Sequence, residues 1–421
     1  MYKVFLFLSI ILQVLFVRPV KASVYPPTID KSFFERKDIL YSSEIASWSL
    51  LDGRFDGQYM LNYKNSCPNC SKLSKEAKIP VVRWAPWSTF PDQISPLNGK
   101  PGTLTYEQFN NIIDGIRNTL DAHPFIKLQP IYDTSFCPDT WGVDNLISMN
   151  KSIIKAAGTR VQLYEFANEI VLQCKWFGPG IGGVKAGQYW LKIAPVLKKY
   201  ARSLGFEIYM GGPSSLSDAA EIHDFLYTIR MAYNSNPDPD MIPDFITWHE
   251  YPNADTNNVL SSLPPIAARI DTIKSSIANL MPEFKNQIKL VVSEYNIHSD
   301  GMAHYYEGGR PIWYTNFLKL LREKDVFMAN QFLMASNTVD GSGMDLITFR
   351  GTPSSYYDAF KQSSLTDPQA IQSRNSLPKS LVGDLNGDGK VNLYDYTELI
   401  SGYGTQYTDD DFINVLANYG K

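Results

Sequence analysis

Two glutamates stand where this chain could do chemistry. The stretch 161–170 reads Val-Gln-Leu-Tyr-Glu-Phe-Ala-Asn-Glu-Ile, an apolar run that breaks at Asn168-Glu169. The stretch 289–298 reads Lys-Leu-Val-Val-Ser-Glu-Tyr-Asn-Ile-His and brings Glu294 to the end of a second apolar run. In a parallel barrel the C-terminal strand ends are where reactive groups collect. A glutamate there is a candidate acid, and the amide of Asn168 a candidate substrate clamp. Two carboxylates on two strand ends are also what retaining cleavage of a glycosidic bond requires.

For these residues to meet, the chain must fold so that the two strand ends face one pocket. Strand-like runs are expected at 46–51, 80–85, 126–132, 161–167, 206–210, 245–249, 288–293 and 329–335, with 25–45 irregular. Helical spacing lies between them. In 105–121 the apolar residues Phe109, Ile112, Ile113, Ile116 and Leu120 share one face, with Thr103 or Thr105 as cap and Glu107 in the first turn. Further helices are expected at 143–157, 186–204, 217–233, 265–281 and 312–323. Eight strands alternating with helices predict an α/β fold, a (β/α)8 TIM barrel. No Gly-x-Gly-x-x-Gly follows the first strand, which argues against a dinucleotide fold.

The chain has 421 residues and a formal charge of −4, and no basic stripe points to nucleic acid. Residues 1–22 have the charged start, apolar run and Val-Lys-Ala end of a secretory signal, so a secreted or cell-surface protein with no membrane span after cleavage is expected. The 4 Cys fit an oxidising setting. Cys137 and Cys174 follow consecutive strands and are expected to pair, leaving Cys67 with Cys70 in a turn-rich stretch. Trp84, Trp87, Trp141, Trp176 and Trp313 fall near strand ends or loops, where a sugar platform and ordinary packing are equally open readings.

Asn168-Glu169 after strand four and Glu294 after strand seven resemble glycoside hydrolase clan A, over roughly 46–362. Trp-His-Glu-Tyr-Pro after strand six resembles the clan's His/Tyr pair, here His249 and Tyr251, and Arg83 resembles its strand-two arginine. Ser-Glu-Tyr-Asn is most similar to family 39, the β-xylosidase-like family, with families 51 and 79 close. The resemblance implies a carbohydrate substrate, Glu169 as acid/base, Glu294 as nucleophile, and substrate contacts from Asn168, Arg83, His249 and Tyr251. The chain departs from the pattern at strand eight, where Gln-Phe-Leu-Met-Ala-Ser stands in place of the clan's tryptophan. No C-terminal β-sandwich is evident. Glu250 is left out of the site because strand alternation points it away from His249.

The barrel domain is expected over 23–362 and a Ser-, Pro- and Gln-rich linker over 363–381. The tail, 382–421, opens on a twelve-residue calcium loop: Asp384, Asn386 and Asp388 at positions one, three and five, and the Lys390 carbonyl at seven. Asn392 and Asp395 complete it. Asp at position twelve resembles a type I dockerin, which implies a cohesin-like or cell-surface partner. The residues from Asp395-Tyr396 are half-repeated from Asp411-Phe412, without the loop ligands. A second class of function, a non-catalytic carbohydrate-binding or surface-assembly protein on a barrel scaffold, is discriminated by hydrolysis of aryl glycosides.

Overall fold

A computed structural model describes residues 29, 31–45, 69–86, 88–96, 98–129, 134–178, 180–299, 308–335, 344–348, 351–376, 391, 393–402 and 409–420. The expected signal, the stretch 46–51, Cys67, Trp87 and residues 384–390 and 392 of the calcium loop lie outside them.

Eight parallel strands close in sequence order into one barrel. They are β1 (Tyr41–Ile45), β2 (Val81–Trp84), β3 (His123–Lys127), β4 (Leu163–Glu165), β5 (Tyr209–Leu216), β6 (Phe245–Glu250), β7 (Lys289–Tyr295) and β8 (Met328–Ala335). Each is followed by a helix: α1 (Cys70–Glu76), α2 (Tyr106–Asp114), α3 (Val143–Ala157), α4 (Gly182–Ser203), α5 (Ala219–Ser235), α6 (Leu263–Leu280), α7 (Arg310–Glu323) and α8 (Tyr357–Thr366). Among the described residues no helix is long and apolar enough to cross a membrane.

Three expectations change. The first strand is Tyr41–Ile45, inside the stretch read as irregular, because Tyr-Ser-Ser-Glu-Ile carries its polar residues into the barrel. The linker is helical through Ser376: α8 runs into a further helix, α9 (Pro368–Ser376). Polarity there reflects a solvated face, while Asp367 accepts from the buried Tyr41 hydroxyl at 2.7 Å and Ser373 Oγ accepts from the Lys37 amide at 2.9 Å. Regular α-geometry in α2 stops at Asp114 and gives way to a π-turn over Gly115–Thr119. Thr105 is the cap, in a capping box with Gln108.

Along the strands the lumen changes character within two residues. Val81, Phe125, Leu163, Phe245, Val291 and Met328 form one buried apolar layer with Ile29, Phe33 and Phe327. Side chains two positions apart share a strand face. The next inward layer is therefore Arg83, Lys127, Glu165, Thr247, Ser293 and Asn330, all buried. Each aromatic or aliphatic side chain of the lower layer contributes roughly 1.5–3 kcal/mol by leaving water. The layer forms a sealed floor on which charged groups can be held dry.

The tail is a separate unit. Helices α10 (Leu393–Gly402) and α11 (Asp409–Asn418) bury Leu399 and Val415 with Val391. The Gly420 amide donates to the Val391 carbonyl at 2.7 Å. Tyr396 and Phe412, equivalent in the half-repeat, face each other with ring centroids 6.5 Å apart. Asp395 falls in α10.

Candidate active site

The charged layer is built from cross-strand neighbours. Glu44 on β1 is in register with Arg83 on β2, Lys127 on β3 with Glu165 on β4, and His249 on β6 with Glu294 on β7. Opposite charges placed side by side on adjacent strands offset part of the desolvation that their burial costs.

Arg83 is wholly buried and its guanidinium is fully committed. Nε donates to Glu165 Oε2 at 2.7 Å and Nη1 to Glu294 Oε1 at 2.6 Å. Nη2 donates to Asn168 Oδ1 at 3.2 Å and also contacts Glu165, while Nη1 pairs with Glu44. Lys127 Nζ donates to Glu44 Oε1 at 2.7 Å, to Glu294 Oε1 at 3.2 Å and to Asn168 Oδ1 at 3.3 Å. Two cations on one amide oxygen fix the orientation of Asn168. Its Nδ2 has no hydrogen-bond partner among the described residues.

Glu294 thus receives Arg83 and Lys127 on Oε1, and the Tyr251 hydroxyl on Oε2 at 2.8 Å. Burial pushes its carboxyl up, but His249, Lys127 and Arg83 overcome that and hold it well below the usual carboxylate range. Burial, then the Glu294 charge, push the Tyr251 phenol well above its ordinary value. Burial also raises Glu44, despite Arg83 and Lys127.

Glu169 is displayed by strained backbone. Ala167 has φ +65° and Glu169 has φ +44° and ψ +46°, left-handed geometry that is uncommon for residues with a side chain. The Glu169 amide donates to the Ser214 carbonyl at 3.0 Å, tying the turn to β5. Its Oε1 lies 2.7 Å from His249 Nδ1, while His249 Nε2 lies 3.1 Å from Ser214 Oγ and 3.5 Å from Glu294 Oε1. The imidazole therefore bridges the two glutamates. Burial lowers its basicity, but Glu294 and Glu169 more than compensate, and the net direction is upward.

One oxygen of Glu169, one of Glu294 and a ring nitrogen of His249 all lie within 4.8 Å of one another. That trio could bind a divalent cation. The Glu294 oxygen is already neutralised by Arg83 and Lys127, however, so the donor set suits a covalent or proton-transfer role better than a metal.

All six residues singled out in the barrel meet here: Arg83, Asn168, Glu169, His249, Tyr251 and Glu294. Sequence reading missed Glu44, Lys127 and Glu165. A signal was present for Lys127 and Glu165, each a lone charge inside an expected strand, but not for Glu44, which lies in the stretch read as irregular. Glu250 is buried and turned away, pairing with Arg269 and accepting from Trp248 Nε1 at 2.8 Å. Of the tryptophans, Trp84 and Trp313 are core residues, which removes them as platforms, and Trp141 is half-buried. Cys137 and Cys174 are bonded, with Cα atoms 5.7 Å apart, and Cys70 is also in a disulfide.

No protein-family model matches the chain, and no curated protein sequence matches it. Solved structures do. A monomeric β-xylosidase from Caulobacter crescentus CB15 is 15% identical, with a TM-score of 0.53 over 81% of this chain and 69% of that one. The GH39 enzyme from Xanthomonas axonopodis pv. citri is also 15% identical, with a TM-score of 0.53 over 77% and 66% respectively. A GH5-4 broad-specificity endoglucanase from Clostridium longisporum is 11% identical, with a TM-score of 0.56 over 80% of this chain and 99% of that one. At these identities the likeness shows the shared barrel.

Proposed function

We propose that the protein is a retaining glycoside hydrolase. The observation that carries this reading is the separation of the two glutamates: their oxygens approach within 4.8 Å. Retaining enzymes hold the carboxyl groups about 5–5.5 Å apart, whereas inverting ones need about 6.5–9.5 Å to seat a water between them. The barrel shared with a β-xylosidase, a family 39 enzyme and an endoglucanase supports the same class.

Glu294, held ionised by Arg83, Lys127, His249 and Tyr251, attacks the anomeric carbon. The bond to the departing oxygen breaks, and that oxygen takes a proton from Glu169. The proton is shared with His249: with His249 Nε2–H turned to Glu294 and Ser214, Nδ1 accepts from the Glu169 carboxyl, so the pair carries one acidic proton between them. In the second step Glu169 takes a proton from water, the resulting oxygen bonds to the anomeric carbon, and the ester to Glu294 breaks. Asn168, fixed by two cations on its carbonyl oxygen, donates from Nδ2 to a sugar hydroxyl.

For the tail, we propose a dockerin-like module binding one calcium through Asp384, Asn386, Asp388, Lys390, Asn392 and Asp395, on a secreted or surface-attached protein. The packed pair of half-repeat helices supports it.

A panel of aryl glycosides, with product configuration followed by NMR and Glu294→Ala as control, tests the catalytic reading. Hydrolysis with retention, lost in the variant, is expected. An inverted product would refute the mechanism. No cleavage of any member by wild-type protein would refute the activity and favour a binding scaffold.

A further inference from the structure

β5 ends in a distorted stretch. Its register with β6 shifts between Pro213 and Ser215, so Ser214 is the extra residue of a bulge. Ser214 has φ +57° and Ser217 φ +53°, left-handed geometry that is uncommon for residues with a side chain. Backbone of this kind persists where its surroundings over-determine it, and such places cluster at functional sites. Ser214 is also wholly buried.

Every polar group of Ser214 is engaged, and two of them hold the site. Its amide donates to Thr247 Oγ1 at 2.8 Å. Its carbonyl accepts from the Glu169 amide at 3.0 Å, and its Oγ lies 3.1 Å from His249 Nε2. Ser217 Oγ donates to the His249 carbonyl. One strand end therefore fixes the backbone of Glu169 together with the ring and backbone of His249.

The ring contact decides where the imidazole carries its hydrogen. Nε2 faces Ser214 Oγ and, at 3.5 Å, Glu294 Oε1. The second distance is too long for a good hydrogen bond, but an ionised carboxylate there makes a bare lone pair on Nε2 unfavourable. Nε2 therefore keeps its hydrogen, and Ser214 Oγ accepts it. On the other side Nδ1 lies 2.7 Å from Glu169 Oε1. With the hydrogen on Nε2, an ionised Glu169 would set two lone pairs against each other at that distance, and a proton between them removes the clash. Arg83, Glu221, Glu250, Tyr251 and Glu294 also face the pair. Among the described residues only Ser214 and Glu169 hydrogen-bond to the ring.

We propose that Ser214 is a positioning residue for the acid step. By accepting from His249 Nε2 its hydroxyl keeps the Nδ1 lone pair on Glu169, and so keeps a proton on the Glu169–His249 pair until the departing oxygen takes it. Ser214 itself neither gives nor receives a proton. The inference rests on the glycoside hydrolase reading.

Phenyl and dinitrophenyl glycosides of the sugar that wild-type protein hydrolyses best test it, with kcat/KM as the readout. A dinitrophenolate departs without a proton, whereas a phenol of pKa about 10 needs one. Ser214→Ala deletes the hydroxyl and keeps the backbone groups. Its kcat/KM should fall about tenfold on the phenyl glycoside and less than about twofold on the dinitrophenyl glycoside. Without that acceptor the Nδ1–H tautomer gains ground, donates to an ionised Glu169 and lets the acid proton go more readily. The basic limb of the phenyl glycoside profile should accordingly move down by about one pH unit. Ser214→Gly, whose backbone adopts φ +57° freely, should show the same selective loss and keeps the test open if alanine is poorly tolerated. A folded variant that loses equally on both glycosides, or loses nothing, would overturn the proposal. So would a basic limb within about 0.3 unit of wild type. Failure of wild-type protein to hydrolyse any glycoside would instead refute the glycoside hydrolase reading itself.

Discussion

Replacing Lys127 by methionine removes one of the cations that touch Glu294 while keeping an unbranched side chain of similar length. Lys127 Nζ lies 3.2 Å from Glu294 Oε1. At an effective dielectric constant of about 20 that pair is worth ~5 kcal/mol, the equivalent of ~4 pH units if nothing else responded. Arg83 and Tyr251 remain, and water can enter the gap, so the expected change is smaller, about one to two pH units. The sign follows from the chemistry. Glu294 must be ionised to attack, its carboxyl is held low in the native protein, and activity is lost as pH falls through that value. Lys127→Met should therefore move the acidic limb of kcat/KM to higher pH. Stability should fall as well, by about 3 kcal/mol, because Glu44 loses a partner at 2.7 Å. Adding Glu44→Gln should recover part of that stability without returning the acidic limb to its place. The assay is a pH profile on the best aryl glycoside, with melting temperatures beside it. A folded Lys127→Met variant whose acidic limb stays within about 0.3 unit of wild type would refute the electrostatic account of Glu294.

Removing the Cys137–Cys174 bridge, which spans 37 residues, as the double serine variant should lower stability by about 3–4 kcal/mol in chemical denaturation. A loss below about 1 kcal/mol would mean that the native contacts alone order the two loops. Glu221 is pushed by burial, and then by Asp218, from its ordinary 4.5 to about 7, so the folded protein holds that proton more tightly than the unfolded chain. Stability should therefore drop as pH rises from about 4.5 to about 7, by on the order of 2–3 kcal/mol, and Glu221→Gln should flatten that part of the profile. Titration of the full chain with calcium should show one site, abolished by Asp388→Ala; no heat and no change in melting temperature with calcium would remove the metal from the tail.

The barrel was legible because its outward strand faces and helices carry plain periodic signals. The helix-forming stripe of Phe109, Ile112, Ile113 and Ile116 lies buried on α2 and its π-turn, and the runs ending at Glu169, His249 and Glu294 occupy β4, β6 and β7 or the turn beyond. What was hidden lies on inward faces. β1 escaped notice because Tyr-Ser-Ser-Glu-Ile has no apolar alternation, its Ser43 and Glu44 being matched to Gln331 and Arg83 from other strands. Lys127 fell inside an expected strand without being singled out, because its partners, Glu44 and Asn168, are far away in the chain. Buried charges satisfied only by distant residues leave no local sign of what they pair with. A lone charge at the same depth in successive strands is the pattern that would have revealed them.

The charged layer above the apolar floor has a consequence for the evolution and engineering of this barrel. Glu44, Arg83, Lys127, Glu165, His249 and Glu294 occupy positions where well-packed hydrocarbon would serve folding better, since replacing a buried ionic set by apolar residues of like volume is often neutral or stabilising by about 1–4 kcal/mol. Selection for heat resistance alone would therefore tend to empty the lumen of charge, and a library screened only for surviving folds would drift toward sturdy, inert barrels. That the layer stands intact, with two oppositely charged pairs and the His249–Glu294 pair in register, marks a protein kept below the stability its own scaffold could reach.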